Sequence, residues 1–368
     1  MNIGFRVDSS TRIGLGHLSR CIFIAEKLKR KNKIFFISRN LPGNMFSQVK
    51  DKFSLVKLKR IKGYKFTKKA HDLLNNLGIL EKKDYLETLS YIKKYKIDVL
   101  IIDHYSITQI YKKLIKKSIK YLIVIDDFIN KKHFADLYIN NNFLNTKEKK
   151  KIKNLNPKSR LALGSEYLLL NQKFNILKQR VKVRKKIKRI LVFFGSIDPS
   201  SETEKAIEAL KKIPDIEVII ITTKSNPRIK NLIKIVNEEE KFKIFTDINN
   251  YKFGLLMLAS DLAIGSCGVN LLERLYLGLP SLVISTAKNQ ITSSLNLKKK
   301  KLIKYLGDRN NVSQNDIYGQ IVYFLNNTKK FKEFSKRCHG SIKGKNIFNL
   351  IDLIKLNLEN VKNMATLN

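Results

Sequence analysis

Residues 2–21, NIGFRVDSSTRIGLGHLSRC, contain the pattern that decides the fold of the N-terminal half. Ile3–Val7 is a short, mostly apolar run, which predicts a buried β-strand. A polar loop with Gly14 and Gly16 follows, and Leu18–Lys31 has the apolar spacing of a helix. A glycine pair before a helix lets the backbone turn closely, and the free N–H groups of the helix start favour a phosphate. The stretch therefore predicts a strand–loop–helix unit that binds an anion.

The same strand-then-helix pattern recurs along the chain, with a helix such as Tyr85–Tyr95 between strands. Further strands are predicted at Lys33–Ser38, Val99–Asp103, Leu122–Ile125 and Leu137–Asn140, and later at residues 189–194, Val218–Thr222, Lys243–Phe245, Leu262–Gly265 and Leu282–Ser285. Continuous apolar runs are typical of parallel strands that helices cover on both faces. The sequence therefore predicts an α/β fold of doubly wound sheets, with ligand sites at the carboxyl ends of the strands.

The length of 368 residues predicts two domains, since one domain usually has ~100–200 residues. A polar stretch with a proline at about residues 144–158 is the predicted linker. We therefore expect two Rossmann-like domains that face each other across a cleft, at residues 1–150 and 151–345. Residues 346–368 are expected to form an amphipathic helix that packs back toward the N-terminal domain.

The net charge of +42 raises the question of an acidic partner. Lysines are spread along the whole chain, and no single element concentrates them as a DNA-reading helix or a basic arm would. No strand shows the aromatic interleaving that stacks bases. We therefore expect a lysine-rich solvated surface, which raises affinity for any polyphosphate, and no nucleic-acid partner.

Three cysteines, Cys21, Cys267 and Cys338, are far apart and show no CxxC spacing. This spacing argues against zinc and against a disulfide framework, and it fits a reducing compartment. The N-terminus lacks the pattern of a signal peptide, and no apolar run approaches the ~18–20 residues that cross a bilayer. We therefore expect a cytoplasmic protein without membrane insertion.

His17 is the candidate catalytic residue. It follows the glycine pair at the start of a helix and lies outside any apolar stripe. The positive end of the helix dipole disfavours a protonated imidazole, so the side chain is available as a base. A histidine is more often structural than catalytic, but the glycine pair with Asp8 and Arg20 nearby favours catalysis here.

A second glycine-rich junction lies in DLAIGSCGVNLLERLYLGLP, residues 261–280. A strand ends at Gly265, a loop of small residues follows that includes Ser266 and Gly268, and a helix from about Val269 to Leu277 carries Glu273 about one turn from its start. The junction predicts a phosphate site, and the Glu273 carboxylate is able to accept two hydrogen bonds from a ribose. The alternative is a solvent-facing Glu273 that pairs with Arg274 or a lysine.

Three other loops follow predicted strands. FFGSIDPSS places Gly195 and Ser196 before a helix, whose start carries Ser201 and Glu204 at the spacing of a capping box. STAKNQ ends in the two amides Asn289 and Gln290, which both donate and accept hydrogen bonds. IIDHYS places Asp103, His104 and Tyr105 at the end of a strand in the N-terminal half. Each loop is ordinary alone, but together they place polar groups at the strand ends of both halves.

The motif R-x-D-S-S-x-x-I-G-x-G-H-x-x-R-C, from Arg6 to Cys21, resembles the opening signature of the pseudaminic acid pathway hydrolases. These enzymes remove UDP from UDP-2,4-diacetamido-2,4,6-trideoxy-β-L-altropyranose. The resemblance continues through IIDHY, FFGSIDPS, GSCGVNLLERLYLGLPSLVI and KNQ, and it spans essentially the whole chain. The family is similar in fold to the N-acetylglucosaminyltransferase of peptidoglycan synthesis, which has two Rossmann-like domains in the GT-B arrangement.

The resemblance implies that water attacks the anomeric carbon with inversion, and that UDP leaves. The implied base is His17, and the implied sugar contacts include Tyr105 and Asn289. Glu273 is implied in binding the ribose. The remaining residues implied in substrate binding are Asp8, Gly14, Gly16, Gly195, Ser196, Ser266, Gly268 and Gln290. We expect no cofactor and no metal, because helix N-termini and backbone amides stabilise a departing diphosphate. We also expect a monomer.

One departure from the family pattern bears on the choice of sugar. After LGSEYLLL the family usually has an Arg-Pro pair, where this chain has Asn171-Gln172. Two other functions remain open at this point, because a fold alone does not decide a function. One is a glycosyltransferase that moves the sugar to an acceptor other than water. The other is a non-catalytic protein that binds a UDP-sugar or a nucleic acid.

Overall fold

The computed structural model describes residues 1–10, 13–60, 79–167, 173–339, 341–342 and 349–366. The chain forms two compact units: the first comprises Met1–Leu169 and Asn346–Asn368, and the second comprises Leu170–Lys345. Each unit is built around a parallel sheet with helices. The pair Asn171-Gln172 lies outside the described residues.

The described residues of the first unit form a seven-stranded sheet. Its strands are β1 (Asn2–Val7), β2 (Lys33–Arg39), β3 (Ser54–Leu58), β4 (Val99–Asp103), β5 (Tyr121–Ile125), β6 (Leu137–Asn140) and β7 (Arg160–Leu163). The order is β3-β2-β1-β4-β5-β6-β7, and each described pair of neighbours is parallel. The central strand β4 is buried along its whole length, as its unbroken apolar sequence predicts.

The described residues of the second unit form a six-stranded sheet. Its strands are β8 (Arg189–Phe193), β9 (Glu217–Thr222), β10 (Phe242–Thr246), β11 (Leu262–Ser266), β12 (Ser281–Ser285) and β13 (Lys304–Asp308). The order is β10-β9-β8-β11-β12-β13, again with parallel neighbours. Every strand predicted from the sequence is confirmed to within one residue at each end. The predicted fold class, α/β with two doubly wound sheets, is therefore confirmed.

Helices connect the strands in both units. In the first unit they are α1 (Gly16–Leu28), α2 (Ser47–Lys50), α3 (Glu81–Lys94), α4 (Gln109–Lys116), α5 (Thr146–Leu155) and the C-terminal α14 (Asn349–Thr366). In the second unit they are α6 (Lys173–Lys178), α7 (Glu202–Lys211), α8 (Ile229–Asn237), α9 (Asn250–Ala259), α10 (Val269–Tyr276), α11 (Lys288–Lys299), α12 (Gln314–Asn326) and α13 (Thr328–His339). Among these described helices, none combines the length and the apolar character that a bilayer crossing requires.

The predicted linker at residues 144–158 is wrong, because most of it forms helix α5. Asn145 caps this helix: its side chain accepts the N–H of Glu148 at 3.0 Å, and the Glu148 carboxylate accepts the N–H of Asn145 at 2.8 Å. Ile152 is buried beneath the helix. Strand β7 then joins the first sheet, so the division between the units falls at residues 169 and 170 rather than near residue 150.

Helix α14 is part of the first unit. Leu350, Ile354 and Leu358 recur every fourth residue and are buried in the core beneath the first sheet, together with residues of α1 such as Ile24. Arg160 of β7 donates a hydrogen bond to the side chain of Asn357 at 2.9 Å. The C-terminal segment therefore completes the core of the unit that the N-terminus begins.

In each sheet the strand order reverses direction at one place, between β1 and β4 in the first unit and between β8 and β11 in the second. In doubly wound sheets, ligands bind beside the carboxyl ends of the two strands at such a point. In the sequence Asp8 and Asp103 mark these ends in the first unit, and Gly195 and Ser266 mark them in the second. The topology thus places these four positions at the switch points, whereas Asn289 and Gln290 follow β12, the strand next to β11.

Candidate functional site

His17 and Asp103 form a direct side-chain pair at the switch point of the first unit. Helix α1 begins at Gly16, so His17 is its second residue, and Asp103 is the last residue of β4. The His17 Nδ1 atom lies 2.5 Å from Asp103 Oδ1. Because the partner is a carboxylate, Nδ1 carries the proton and donates it. The Nε2 atom has no hydrogen-bond partner among the described residues, and the side chain is 12% exposed.

Arg20 fixes the carboxylate of Asp103 from the next turn of α1. Its Nη2 donates to Asp103 Oδ1 at 2.6 Å and its Nε donates to Oδ2. The Nη1 atom reaches Asp127 at 3.2 Å. Burial alone would raise the pKa of Asp103, but the charges of Arg20 and His17 outweigh it and hold that pKa well below the usual range. Asp103 is therefore an ionised acceptor for the His17 N–H.

Tyr105 packs against the imidazole. The ring centroids of Tyr105 and His17 are 4.3 Å apart in an edge-on arrangement, and the Tyr105 hydroxyl donates to Asp127. Burial and the nearby charge of Asp127 raise the pKa of Tyr105 well above its usual value, so the hydroxyl stays protonated. Lys131 donates to the Tyr105 carbonyl at 2.9 Å. Tyr105, which is predicted to contact the sugar, thus lies beside His17, and its hydroxyl already donates a hydrogen bond to Asp127.

Asp8 lies in a buried ionic cluster beneath this site, which contradicts the prediction that it contacts substrate. Its side chain is fully buried. It accepts hydrogen bonds from Arg6 at 2.5 and 3.0 Å and from the N–H of Arg39 at 2.7 Å. The His104 Nε2 atom is 3.1 Å away, and Arg6 also binds the buried Asp84. Oδ1 of Asp8 therefore links Arg6 of β1 to Arg39 of β2, Oδ2 is taken by Arg6 and His104, and neither oxygen is left for a ligand.

The loop before α1 keeps the features of an anion site. Gly14 has a φ of 78°, and its N–H donates to the Ser10 carbonyl at 2.8 Å. A Cβ at Gly14 or Gly16 would meet no atom of the described residues within 4 Å. Helix α1 has no side-chain cap and no acidic residue in its first turn. No side chain within the first turn of α1 therefore caps its first N–H groups, although the carboxylate of Asp103 contacts the His17 side chain.

In the second unit, the start of α10 is the corresponding position. Ser266 ends β11, Gly268 precedes the helix, and α10 has neither a side-chain cap nor an acidic residue in its first turn. Glu273 lies in the second turn and is only 8% exposed. Burial raises its pKa to about 7, against the hydrogen bond that Asn270 donates to it at 2.6 Å. The alternative of a solvent-facing Glu273 is therefore wrong.

Arg274, next to Glu273, is a second buried group at this junction. It is 2% exposed, and its Nη2 donates to the Ser266 carbonyl at 2.5 Å. Its Nε and Nη1 atoms are buried and have no acceptor among the described residues. Burial lowers the pKa of Arg274 to about 10, so the guanidinium remains charged at neutral pH.

The loop after β8 differs, because the start of α7 already holds a carboxylate. Asp198 is buried and accepts the N–H groups of Glu202 at 3.1 Å and Thr203 at 2.7 Å. The predicted capping box of Ser201 and Glu204 is wrong, since Ser201 has a φ of 60° and makes no side-chain cap. A diphosphate at the start of α7 would meet the charge of Asp198.

Gly195 and Ser196 remain at the carboxyl end of β8, ahead of that carboxylate. Gly195 has a φ of 104°, in the region that favours glycine, and a Cβ there would meet none of the described atoms within 4 Å. The Ser196 carbonyl accepts the hydroxyl of Thr223 at 2.7 Å. Gly195 and Ser196 therefore form an open loop, but Asp198 neutralises the positive N-terminal end of α7, the helix that follows.

Asn289 and Gln290 are the second and third residues of α11 and are half-buried. The Gln290 Oε1 atom accepts the N–H of Thr286 at 3.0 Å, which braces the loop after β12. Gln290 therefore has one end of its amide engaged within the unit.

Sequence reasoning missed the partners of His17. The sequence marks Asp103 as a polar strand end but does not indicate its pairing with His17 across 86 positions. The neighbouring strands β1 and β4 carry the signal, because their carboxyl ends lie side by side. The sequence also gives no sign of the contacts of Arg20 with Asp103 and Asp127. Arg20 lies three residues after His17, on the same face of the helix. Among the described residues, no group of three or more His, Cys, Asp or Glu is placed to hold a metal ion.

Three curated proteins are similar to the chain in sequence. One is the UDP-2,4-diacetamido-2,4,6-trideoxy-β-L-altropyranose hydrolase of Campylobacter jejuni, 26% identical over 302 residues that cover 82% of this chain and 97% of that one. Another is the spore coat polysaccharide biosynthesis protein SpsG of Bacillus subtilis, 23% identical over 80% of each chain. The resemblance inferred from the motifs is therefore confirmed. No protein-family model matches the chain.

The third relative is an uncharacterized protein of Methanocaldococcus jannaschii. It is 28% identical over 299 residues, which are 77% of this chain and 55% of that protein. The chain thus spans about half the length of this relative. The name of this relative states no activity.

Solved structures share the fold over nearly the whole chain. MurG of Acinetobacter baumannii superposes with a TM-score of 0.63 at 14% identity, covering 96% of this chain and 99% of that one. Phytolacca americana UGT2, complexed with UDP-2-fluoro-glucose and pterostilbene, superposes with a TM-score of 0.67 at 11% identity, covering 98% and 99%. These GT-B proteins confirm the fold class, and at such identities they show the fold alone.

Proposed function

We propose that the chain hydrolyses UDP-2,4-diacetamido-2,4,6-trideoxy-β-L-altropyranose at its anomeric carbon and releases UDP. The observation that carries this proposal is the pair of His17 and Asp103. It leaves one imidazole nitrogen basic and unpartnered among the described residues, beside the switch point of a doubly wound sheet. The name and coverage of the Campylobacter relative support the choice of substrate.

In the proposed reaction, His17 Nε2 removes a proton from a water molecule. The water oxygen forms a bond to the anomeric carbon, and the bond from that carbon to the phosphate oxygen breaks. UDP leaves with the bonding electron pair, and the sugar keeps the new hydroxyl with inverted configuration. The imidazolium that forms is stabilised by Asp103, which already accepts its other N–H. Arg20 keeps Asp103 from taking that proton, because it holds the carboxylate ionised.

The leaving group is proposed to lie on the loop of Ser266 and Gly268, where the start of α10 offers uncapped N–H groups. Glu273 is proposed to accept hydrogen bonds from the ribose. Asn289 is proposed to contact the sugar, as is the ring of Tyr105. Because protein groups stabilise the charge of UDP in this proposal, turnover is expected to be unchanged in EDTA.

The test measures UDP release from a panel of UDP-sugars, with purified protein and water as the only acceptor. Release confined to the 2,4-diacetamido-trideoxy-altrose donor would support both the reaction and the substrate. His17→Ala is expected to bind UDP normally and to lose ~10²–10⁴ of the turnover. The exposed His339 provides the matched control, since His339→Ala leaves the pair intact. Near-native turnover in His17→Ala would contradict the base assignment.

A glycosyltransferase is the second candidate, and exposed apolar side chains in the first unit favour it. Leu80 is 70% exposed and Ile110 is 66% exposed, at the starts of α3 and α4. Such side chains suit an apolar acceptor. The result that would favour it is a protein that binds UDP, releases no UDP from any UDP-sugar in water, and releases UDP once a lipid acceptor is added. That result would show that the chain is a glycosyltransferase and not a hydrolase.

A further inference from the structure

Arg274 is a buried cation that lies against the backbone of the proposed diphosphate loop. Its Nη2 donates to the carbonyl of Ser266, the last residue of β11. A Cβ on Gly265 would lie 3.1 Å from its Nη1 and would also collide with the carbonyl oxygen of Phe193. The guanidinium therefore fills the space directly behind the loop, and Gly265 leaves room for it.

Arg274 is incompletely partnered within the part of the second unit that the structure describes. Two of its nitrogens, Nε and Nη1, lack acceptors there, and the negative groups that act on its charge are Cys267 and the adjacent Glu273. The adjacent Glu273 binds Asn270 instead and has a pKa raised to about 7 by burial. A buried, unpaired guanidinium is unfavourable, because burial removes its hydration without a compensating partner.

The helix start in front of this guanidinium is also positive. Helix α10 begins after Gly268 without a side-chain cap and without an acidic residue in its first turn. By contrast, the start of α7 is neutralised by the buried Asp198. Of the two switch-point helices of this unit, the start of α7 is thus neutralised by a carboxylate and the start of α10 is not.

We propose that Arg274 is a positioning residue for the phosphates of a nucleoside diphosphate, holding the Ser266–Gly268 loop in its binding conformation and supplying positive charge behind it. The inference rests on the proposed function, which places the diphosphate at this loop. It adds that affinity for phosphate, rather than for the nucleoside, depends on this side chain. The unfavourable burial of the charge in the free protein is offset when the anion binds.

The test compares binding of uridine, UMP and UDP by calorimetry in the wild type, Arg274→Met and Arg274→Lys. Methionine has a similar length without the charge, so the free Arg274→Met protein is expected to melt no lower than the wild type. It is expected to bind UDP roughly tenfold more weakly while its uridine affinity is unchanged. Lysine keeps the charge and is expected to recover part of the UDP affinity.

Arg184 is the matched control, because it is buried in the same unit and donates to the backbone carbonyls of Ser260, Leu277 and Gly278. Arg184→Met is expected to melt lower and to keep the wild-type ratio of UDP to uridine affinity. An unchanged ratio in Arg274→Met would overturn the role of Arg274 and leave the proposed function standing. A wild type that does not prefer UDP to uridine would overturn both.

Discussion

The imidazole Nδ1 of His17 and the carboxylate Oδ1 of Asp103 lie 2.5 Å apart, although the two residues are 86 positions apart in sequence. The contact exists because β1 and β4 are neighbours in the first sheet, and α1 starts directly after the loop that follows β1. One pair of parallel strands therefore determines which imidazole nitrogen carries the proton.

Asp103→Asn is expected to keep the fold and the UDP affinity and to lower kcat by ~10²–10⁴. The amide is nearly the same size as the carboxylate, but its NH2 group stabilises the wrong tautomer of His17 and no longer stabilises the imidazolium. The measurement is steady-state UDP release beside calorimetric UDP binding. A kcat within a few-fold of the wild type would show that His17 acts without this partner.

Tyr105→Phe is expected to lower kcat by about tenfold, since the hydroxyl that holds Asp127 is lost while the ring beside His17 remains. Tyr138 offers a matched control, because its buried hydroxyl donates to the carbonyls of Asp126 and Phe128 on the same loop. Tyr138→Phe removes a buried hydrogen bond without touching the His17 site. Equal losses of kcat in the two variants would indicate a general effect on the loop.

Glu273 is expected to make stability fall as pH rises. Its pKa is raised by burial from 4.5 to about 7 in the folded protein, so the folded state binds its proton more tightly than the unfolded state. The stabilising contribution is complete below about pH 4.5 and is lost as pH rises through 7, by up to ~3 kcal/mol.

Glu273→Gln tests this dependence, because the amide has no proton to lose in that range. Urea unfolding at pH 5 and pH 8 is expected to show a smaller loss of stability in the variant than in the wild type. If the two proteins lose the same free energy between these pH values, Glu273 is not the titrating group.

Asp198→Ala is expected to destabilise the second unit by ~1–2 kcal/mol, because the N–H groups of Glu202 and Thr203 lose their acceptor. Its UDP affinity is expected to be unchanged or slightly higher, since the start of α7 is not the proposed diphosphate site. Urea unfolding and UDP calorimetry measure the two effects separately. A large loss of UDP affinity at wild-type stability would place the diphosphate at α7 instead.

The strand predictions were correct where burial makes the sequence uniform. Strands β4 and β12 are buried along their whole length, and apart from Asp103 and the serines at the two ends of β12 their residues are apolar. The strands that were missed, β3, β7 and β13, all lie at sheet edges, where one side lacks a neighbour and charged residues are tolerated. Local sequence carries less of the pattern there.

The helix and site errors have a similar cause. Helix α5 buries Ile152 and is otherwise rich in lysine, so its composition resembled a linker. At α7 the pair Ser201 and Glu204 matched a capping box, but the left-handed backbone at Ser201 gives the cap to Asp198. Asp8 looked available because its position after β1 was clear from the sequence, whereas the buried partners that surround it come from distant elements.

Because the second unit is inserted between Leu169 and Asn346 of the first, the two halves cannot mature in simple chain order during synthesis. Leu350, Ile354 and Leu358 fill the first core, yet they leave the ribosome only after the entire second unit. The N-terminal sheet must therefore wait with an open apolar face while the later unit is already able to fold. From the synthesis of residue 169 until residue 358 has emerged, the nascent chain therefore exposes an apolar surface that favours aggregation.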